Sequence, residues 1–281
     1  MYNHPIDISE QELPLLTQLQ NRMTYELQDL TTGYPTKKGN RVVSTHITAN
    51  LQAGELTCLL GPNGAGKSTL LRTLAAFQAP LSGQMVLDGA PLNSYTSQQL
   101  ATRLGVVLTE RPDIKGMRVR EMVAMGRSPY TGFWGNLSSE DEQAVDEAIR
   151  QVGIQELSRR MVHTLSDGER QKVMISKALA QQTPIIFLDE PTAFLDFPSK
   201  VEMMLLLSRL AHTMQKTIFL STHDLELALQ TADRLWLLDK TSEGVTIGTP
   251  SELAANGALP RFFSGPGITF DADALRFTIS K

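Results

Sequence analysis

Cysteine is almost absent from this 281-residue sequence: Cys58 stands alone. No disulfide can form within the chain. A single thiol inside the apolar run Leu56–Leu60 reads as a small packing group and fits a reducing compartment. Long hydrophobic runs are missing as well. No stretch approaches the ~18 apolar residues that span a bilayer. The start, MYNHPIDISE, lacks the basic-then-apolar order of a secretory signal. Charge of either sign in excess is missing too. The 26 Lys and Arg face 30 Asp and Glu, a net charge of −4, and no basic stripe marks a nucleic-acid partner. There are no internal repeats and no low-complexity tracts. These absences leave a globular chain expected in the cytoplasm, held at a membrane, if at all, by other chains. Its length allows one large or two modest domains.

Against that background the order of elements is informative. Residues 1–22 read as an extension without a motif. From Tyr25 to Gly54 the pattern suggests short strands and loops. The strand-length apolar run ending at Leu60 is followed by a glycine-rich loop and a helix from near Ser68, the start of an α/β unit. Strands are predicted at Met85–Gly89 and Gly105–Leu108. Between about 111 and 168 the period changes: Val119, Met122 and Val123, then Val145, Ala148, Ile149 and Val152, are spaced for helices. This is read as a helical subdomain inserted in an α/β core of residues 23–259. The core resumes with helices at 170–182, 200–214 and 225–231. They alternate with strands at 185–188, 217–220 and 234–239, and residues 260–281 form a tail.

Two motifs carry chemistry. Gly61, Pro62, Asn63, Gly64, Ala65, Gly66, Lys67 and Ser68 fit G-x-x-x-x-G-K-[ST], and Thr69 extends the polar run. The glycines let consecutive N–H groups turn toward phosphate oxygens, and the following helix adds its positive end. Lys67 is expected on the β- and γ-phosphates, and the Ser68 hydroxyl on Mg²⁺. The second motif is the apolar strand Ile185–Leu188 running into Asp189 and Glu190. It places two carboxylates at the edge of the sheet where open α/β folds bind ligands. Asp189 is expected to hold Mg²⁺ and Glu190 to act as general base.

Between these motifs lie Leu165, Ser166, Asp167, Gly168 and Glu169, and after them Phe194-Leu195-Asp196 and Ser221-Thr222-His223-Asp224. This order resembles the ABC ATPases. Leu165–Glu169 corresponds to their LSGGQ signature, Asp196 to the D-loop and His223 to the switch histidine. Tyr34 stands where the family puts an aromatic under adenine. The resemblance implies a P-loop NTPase cassette with a RecA-like core, an antiparallel β subdomain and an inserted helical subdomain. It also implies ATP and Mg²⁺, and a second copy whose signature faces this chain's ATP, with no nucleic acid as partner. Two residues depart from the pattern. Glu110 follows the strand ending near Leu108, where the family has glutamine; it either ligates Mg²⁺ or points to solvent. Asp167 replaces the first signature glycine, and its tolerance for the left-handed conformation would preserve a turn there.

The stretch Val119–Val123, Gly126–Tyr130 and Leu137–Asp141 looks like the importers of ferric siderophores, haem and vitamin B12. That resemblance implies transmembrane permease subunits, a substrate-binding protein beyond them, and a peripheral place on the cytoplasmic face of the bacterial inner membrane. Tyr130, Phe133 and Trp134 are expected either to face the permease or to pack inside the subdomain. The alternatives are another ABC transport system, a non-transport ABC ATPase of nucleic-acid metabolism, or a non-catalytic ATP-binding regulator. If Tyr34 stacks on the base, Tyr34→Ala will cost about 1–3 kcal/mol of ATP affinity. GTP will then bind with modest loss, because stacking reads a base's face. Calorimetric titration checks this, and unchanged ATP affinity would assign Tyr34 to packing.

Overall fold

A computed structural model describes residues 24–37, 39–109, 115–132, 135–239, 244–263, 267–271 and 274–279. The extension 1–22 lies outside them. The chain opens with β1 (Tyr25–Thr36) and β2 (Gly39–Leu51), which pair antiparallel. With β4 (Ser82–Leu87) and β5 (Ala90–Pro91) they form a sheet of order β2-β1-β4-β5. Short strands and loops were the expectation here, and two long continuous strands are the finding. The register of β1 on β2 shifts between Leu27 and Gly33. Asp29 and His46 sit in the left-handed region at φ 50° and 53°, and the His46 ring meets the Asp29 carboxylate at 2.7 Å. Such bulges break the two-residue alternation by which a strand is recognised in sequence.

The second sheet is the core. Its strands are β3 (Leu56–Leu60), β6 (Leu104–Val107), β7 (Ile185–Asp189), β8 (Thr217–Thr222), β9 (Arg234–Leu237) and β10 (Thr246–Gly248), in the order β10-β9-β3-β8-β7-β6. All pairings are parallel except that of β10. β3, β7 and β8 are buried throughout, as expected of parallel strands covered on both faces. Alternate residues divide between two cores. Cys58, Leu60, Leu188, Leu220 and Leu237 enter one, and Leu59, Phe187, Phe219 and Trp236 the other. The second core lies against the antiparallel sheet and α1 (Lys67–Leu74). Tyr25, Phe187, Phe219 and Trp236 stack there edge to face, with centroids 6.0, 5.9 and 5.1 Å apart. A short α2 (Ser97–Ala101) leads into β6. Burial pushes the Cys58 thiol up, so it stays protonated and inert.

Three helices, α3 (Val119–Ala124), α4 (Ser139–Val152) and α5 (Asp167–Ala180), pack on one another. The residues read from sequence as a helical stripe, from Val119 to Val152, are all buried. An antiparallel bridge between Arg118 and Met161 closes the group. α6 (Phe197–Met214) and α7 (Leu225–Thr231) return to the core sheet. Both α5 and α6 begin three residues before the positions predicted. Ser166 and Asp196 cap them by accepting from the N–H groups of Glu169 and Ser199. Such caps recruit a first turn without buried apolar residues, which hydrophobic spacing does not register. The chain ends in α8 (Pro250–Ala255), α9 (Ala258–Phe262) and a hairpin of β11 (Ile268–Asp271) and β12 (Arg276–Ile279). Contacts among Phe262, Phe263, Phe270 and Phe277 join the hairpin to α9. No helix among the described residues is long and apolar enough to cross a membrane.

Lys216, in the turn between α6 and β8, is 8% exposed and donates to the Thr183 carbonyl at 2.6 Å. Burial lowers its ammonium pKa to about 8. Below pH 8 it is charged in both states, and the full cost of burying that charge opposes folding. Between pH 8 and about 10.4 only the unfolded chain keeps the proton, so stability rises with pH, by up to about 3 kcal/mol. Urea unfolding should show this rise in the wild type and a flatter one in Lys216→Met; equal slopes would place the charge in solvent.

Candidate functional site

The glycine-rich loop connects β3 to α1 at the C-terminal edge of the core sheet. Gly66 caps α1 with φ 106°. A Cβ there would stand 1.9 Å from Val43 Cγ1, so β2 rests directly on the loop. At Gly61 a Cβ would stand 2.5 Å from the Leu238 carbonyl oxygen. The loop is thus pressed between two sheets and has no room for side chains at these points. Lys67 opens α1 and is buried; its Nζ donates to the Gly61 carbonyl at 2.8 Å. Burial lowers its pKa, while the nearby carboxylates of Glu190 and Asp189 work in the opposite direction.

Ser68 faces β7. Its hydroxyl donates to Asp189 Oδ1 at 3.1 Å, and the same oxygen accepts from Ser221 Oγ at 2.6 Å. Thr109, beyond β6, donates to the Asp189 carbonyl at 2.9 Å. Asp189 therefore joins the ends of β6, β7 and β8 to the phosphate loop. Glu190 follows in the left-handed region at φ 47°, held there by its N–H, which donates to the carbonyl and hydroxyl of Ser221 at 3.1 and 3.0 Å. A non-glycine residue in that conformation costs of order 1–3 kcal/mol. Here it turns the carboxylate between two bases: Oε1 lies 3.9 Å from Lys67 Nζ, and Oε2 lies 3.6 Å from His223 Nδ1. Asp224, next to His223, accepts from Thr192 Oγ1 at 2.7 Å and Lys200 Nζ at 2.8 Å. Burial alone would raise its carboxyl pKa; these two donors outweigh that and hold it low.

The residues named from sequence thus fall into separate groups. Lys67, Ser68, Asp189, Glu190 and His223 converge. Tyr34 is 36% exposed near the end of β1, with the Arg41 guanidinium 5.9 Å from its ring centroid. Asp196 caps α6, and Ser199 holds its carboxyl below the usual range. Glu110 lies outside the described residues. Ser166 and Glu169 bond each other reciprocally, and Arg160 bonds Glu169 at 3.0 Å. The left-handed turn expected at Asp167 is absent: Asp167 and Gly168 form the right-handed first turn of α5, where an acidic residue suits the helix dipole. Sequence reasoning gave no role to Ser221 or Val43. Their only trace was a small hydroxyl residue closing β8 and an apolar residue in a strand.

The fold and this cluster define a phosphate-loop nucleotide hydrolase of the α/β class. The family described as ABC transporter matches residues 44–193, and the chain belongs to that family as an ATP-binding, ATP-hydrolysing protein. It is 41% identical over 226 residues to an ABC transporter ATP-binding protein of Methanocaldococcus jannaschii, covering 80% of this chain and 76% of the relative. It is 36% identical to the ferric enterobactin transport ATP-binding protein of Escherichia coli (84% and 85% covered) and 37% to the hemin import ATP-binding protein of Streptomyces coelicolor (83% and 81%). Among solved structures it resembles an inward-facing transporter described as metal-chelate type, at TM-score 0.72 and 26% identity, covering 86% and 88% of the two chains. It also resembles a dimeric ABC transporter cassette, at TM-score 0.68 and 25% identity (80% and 98% covered).

The pressure of Val43 on the loop makes a double test. Gly66→Ala should lower ATP affinity by about tenfold or more, since both the backbone conformation and the space exclude a methyl group. Adding Val43→Ala should recover part of that loss in a fluorescent-nucleotide titration. No recovery would show that the backbone angle alone matters.

Proposed function

We propose that the chain is the ATP-hydrolysing subunit of an importer for ferric siderophore or haem, working as a pair of identical copies. The observation that carries the chemistry is the convergence of Glu190 with Lys67 and His223 beside the Ser68–Asp189 pair. In this reading the loop N–H groups and Lys67 bind the β- and γ-phosphates, and Tyr34 supports the adenine. The Ser68 hydroxyl and Asp189 carboxylate stand 3.1 Å apart, a hard oxygen pair that fits Mg²⁺ when phosphate oxygens complete its shell. Mg²⁺ bound there would neutralise charge on the phosphates. Glu190 takes a proton from the attacking water as its oxygen bonds to the γ-phosphorus, and the bond to the bridging oxygen of ADP breaks. His223, whose Nδ1 stands 3.6 Å from Glu190 Oε2, holds water and γ-phosphate in line.

The signature residues Leu165–Glu169 act on the ATP of the other copy. The dimeric cassette to which this chain is similar supports that reading, and so does Gly168. Its helical backbone would tolerate a Cβ, whose nearest neighbour, Ser199 Oγ, would lie 3.7 Å away. Among the described residues nothing requires glycine there, whereas close approach of an outside group would. The names of the E. coli and S. coelicolor relatives support an iron-chelate or haem cargo. Permease subunits, a binding protein beyond them and a peripheral place on the cytoplasmic face follow from that assignment, with cobalamin as the competing cargo.

Glu190→Gln tests both levels. It should keep ATP binding, cut turnover roughly 10²–10⁴-fold and accumulate an ATP-bound dimer on size-exclusion chromatography. Wild-type turnover would remove Glu190 from the role of base. Cells carrying only this variant should lose uptake of ferric siderophore or haem; loss of cobalamin uptake alone would move the cargo.

A further inference from the structure

The C-terminal end of α5 is gripped from two sides. Arg127, in the turn after α3, is buried, and so is its partner Asp141 on the first turn of α4. Arg127 Nε donates to Asp141 Oδ1 at 2.7 Å, and Nη1 donates to the Ala180 carbonyl and to Gln182 Oε1, both at 2.8 Å. The last carbonyls of a helix have no partners within it, and here a guanidinium supplies one. Gly126 lies flush on the same turn: a Cβ there would stand 2.2 Å from the Lys177 carbonyl oxygen. Tyr130 covers the guanidinium, with its ring centroid 3.9 Å away, and its hydroxyl donates to the Gln181 carbonyl at 2.9 Å. Tyr130 remains exposed, while its hydroxyl and one ring face turn toward this joint. Phe133 and Trp134 lie outside the described residues.

The other side of the grip comes from the core. Gln181 Nε2 donates to the carbonyls of Ala101 and Leu104, at 2.6 and 3.2 Å, where α2 runs into β6. Gln182 then turns through the left-handed region at φ 57°. One end of α5 is therefore tied to both the helical group and the core sheet, while the opposite end carries Ser166. A 14-residue helix is ~21 Å long, so a tilt of ~5° at the tied end moves Ser166 by ~2 Å. A buried ion pair is a weak device for stability alone and is better suited to fixing geometry. Arginine fits here because its planar fork can serve three acceptors and a ring face together, which a lysine cannot.

We propose that Arg127, with Tyr130 and Gln181, is a positioning joint that fixes the base of the signature helix and so sets where Ser166 stands against ATP held by the second copy. This rests on the shared-site reading above. The test uses the full chain with Arg127→Lys and Tyr130→Phe. The second variant removes one hydroxyl and keeps the falsification intact if the first does not fold. Turnover, KM, single-site affinity for a fluorescent ATP analogue and Tm are measured. Spin labels on cysteines introduced at the exposed His163 and Gln98 report the helical group against the core; the buried Cys58 leaves labelling selective. The joint predicts a fall in kcat of about two- to thirtyfold at unchanged single-site affinity, with a shifted or broadened label distance. Unchanged kcat and distance, whatever the Tm, would overturn it, as would a parallel loss of single-site affinity. Ser166→Ala separates the two readings: if it leaves kcat intact the shared site fails, while the label distance still reports on the joint.

Discussion

One carboxylate oxygen, Asp189 Oδ1, ties this site together. It accepts hydroxyl hydrogen bonds from Ser68 of the phosphate loop and Ser221 of β8, and Thr109 reaches the carbonyl of the same residue. Three strand ends and the first turn of α1 thus share one residue. In a buried setting such bonds are strengthened, and an unmet partner would be expensive. The arrangement therefore specifies one geometry for the loop, the carboxylate pair and the strand that precedes His223.

Strain is placed next to this knot. Glu190 occupies a backbone region that non-glycine residues avoid, and Ser221 holds it there with two acceptors for one N–H. The result is a carboxylate aimed between Lys67 and His223 and not along the strand direction. The same economy appears at the loop, where Val43 of the antiparallel sheet and the Leu238 carbonyl press on two glycines. The nucleotide loop is a surface on which three parts of the fold converge, and its shape is set by all of them.

Much of this was legible in the chain itself. The eight residues from Gly61 to Ser68 fit a pattern whose chemistry follows from backbone N–H groups and one lysine. The apolar run into Asp189 and Glu190 reads as a buried strand because both faces of a parallel sheet are covered. The helical stripe from Val119 to Val152 is a buried face in the structure. The first turns of α5 and α6 were not legible, because Ser166 and Asp196 cap turns that bury no apolar residue and so carry no hydrophobic period. Nor were the long strands β1 and β2, whose bulges at Asp29 and His46 disturb the alternation. The contacts of Arg127 and Tyr130 were not legible either, since sequence cannot show that a distant helix end would bring them three carbonyl and amide acceptors.

Sequence by itself determined the class of chemistry: which residues can bind phosphate, hold a hard cation or take a proton, and in what order they arrive. Those properties belong to local groups and to short spacings along one strand, loop or helix. Tertiary structure decided which of them meet, which face one another across strands, and which are turned inward. Asp189 and Ser221 are 32 residues apart and Ser68 is 121 residues from Asp189; only the order of strands in the sheet brings them within hydrogen-bonding distance.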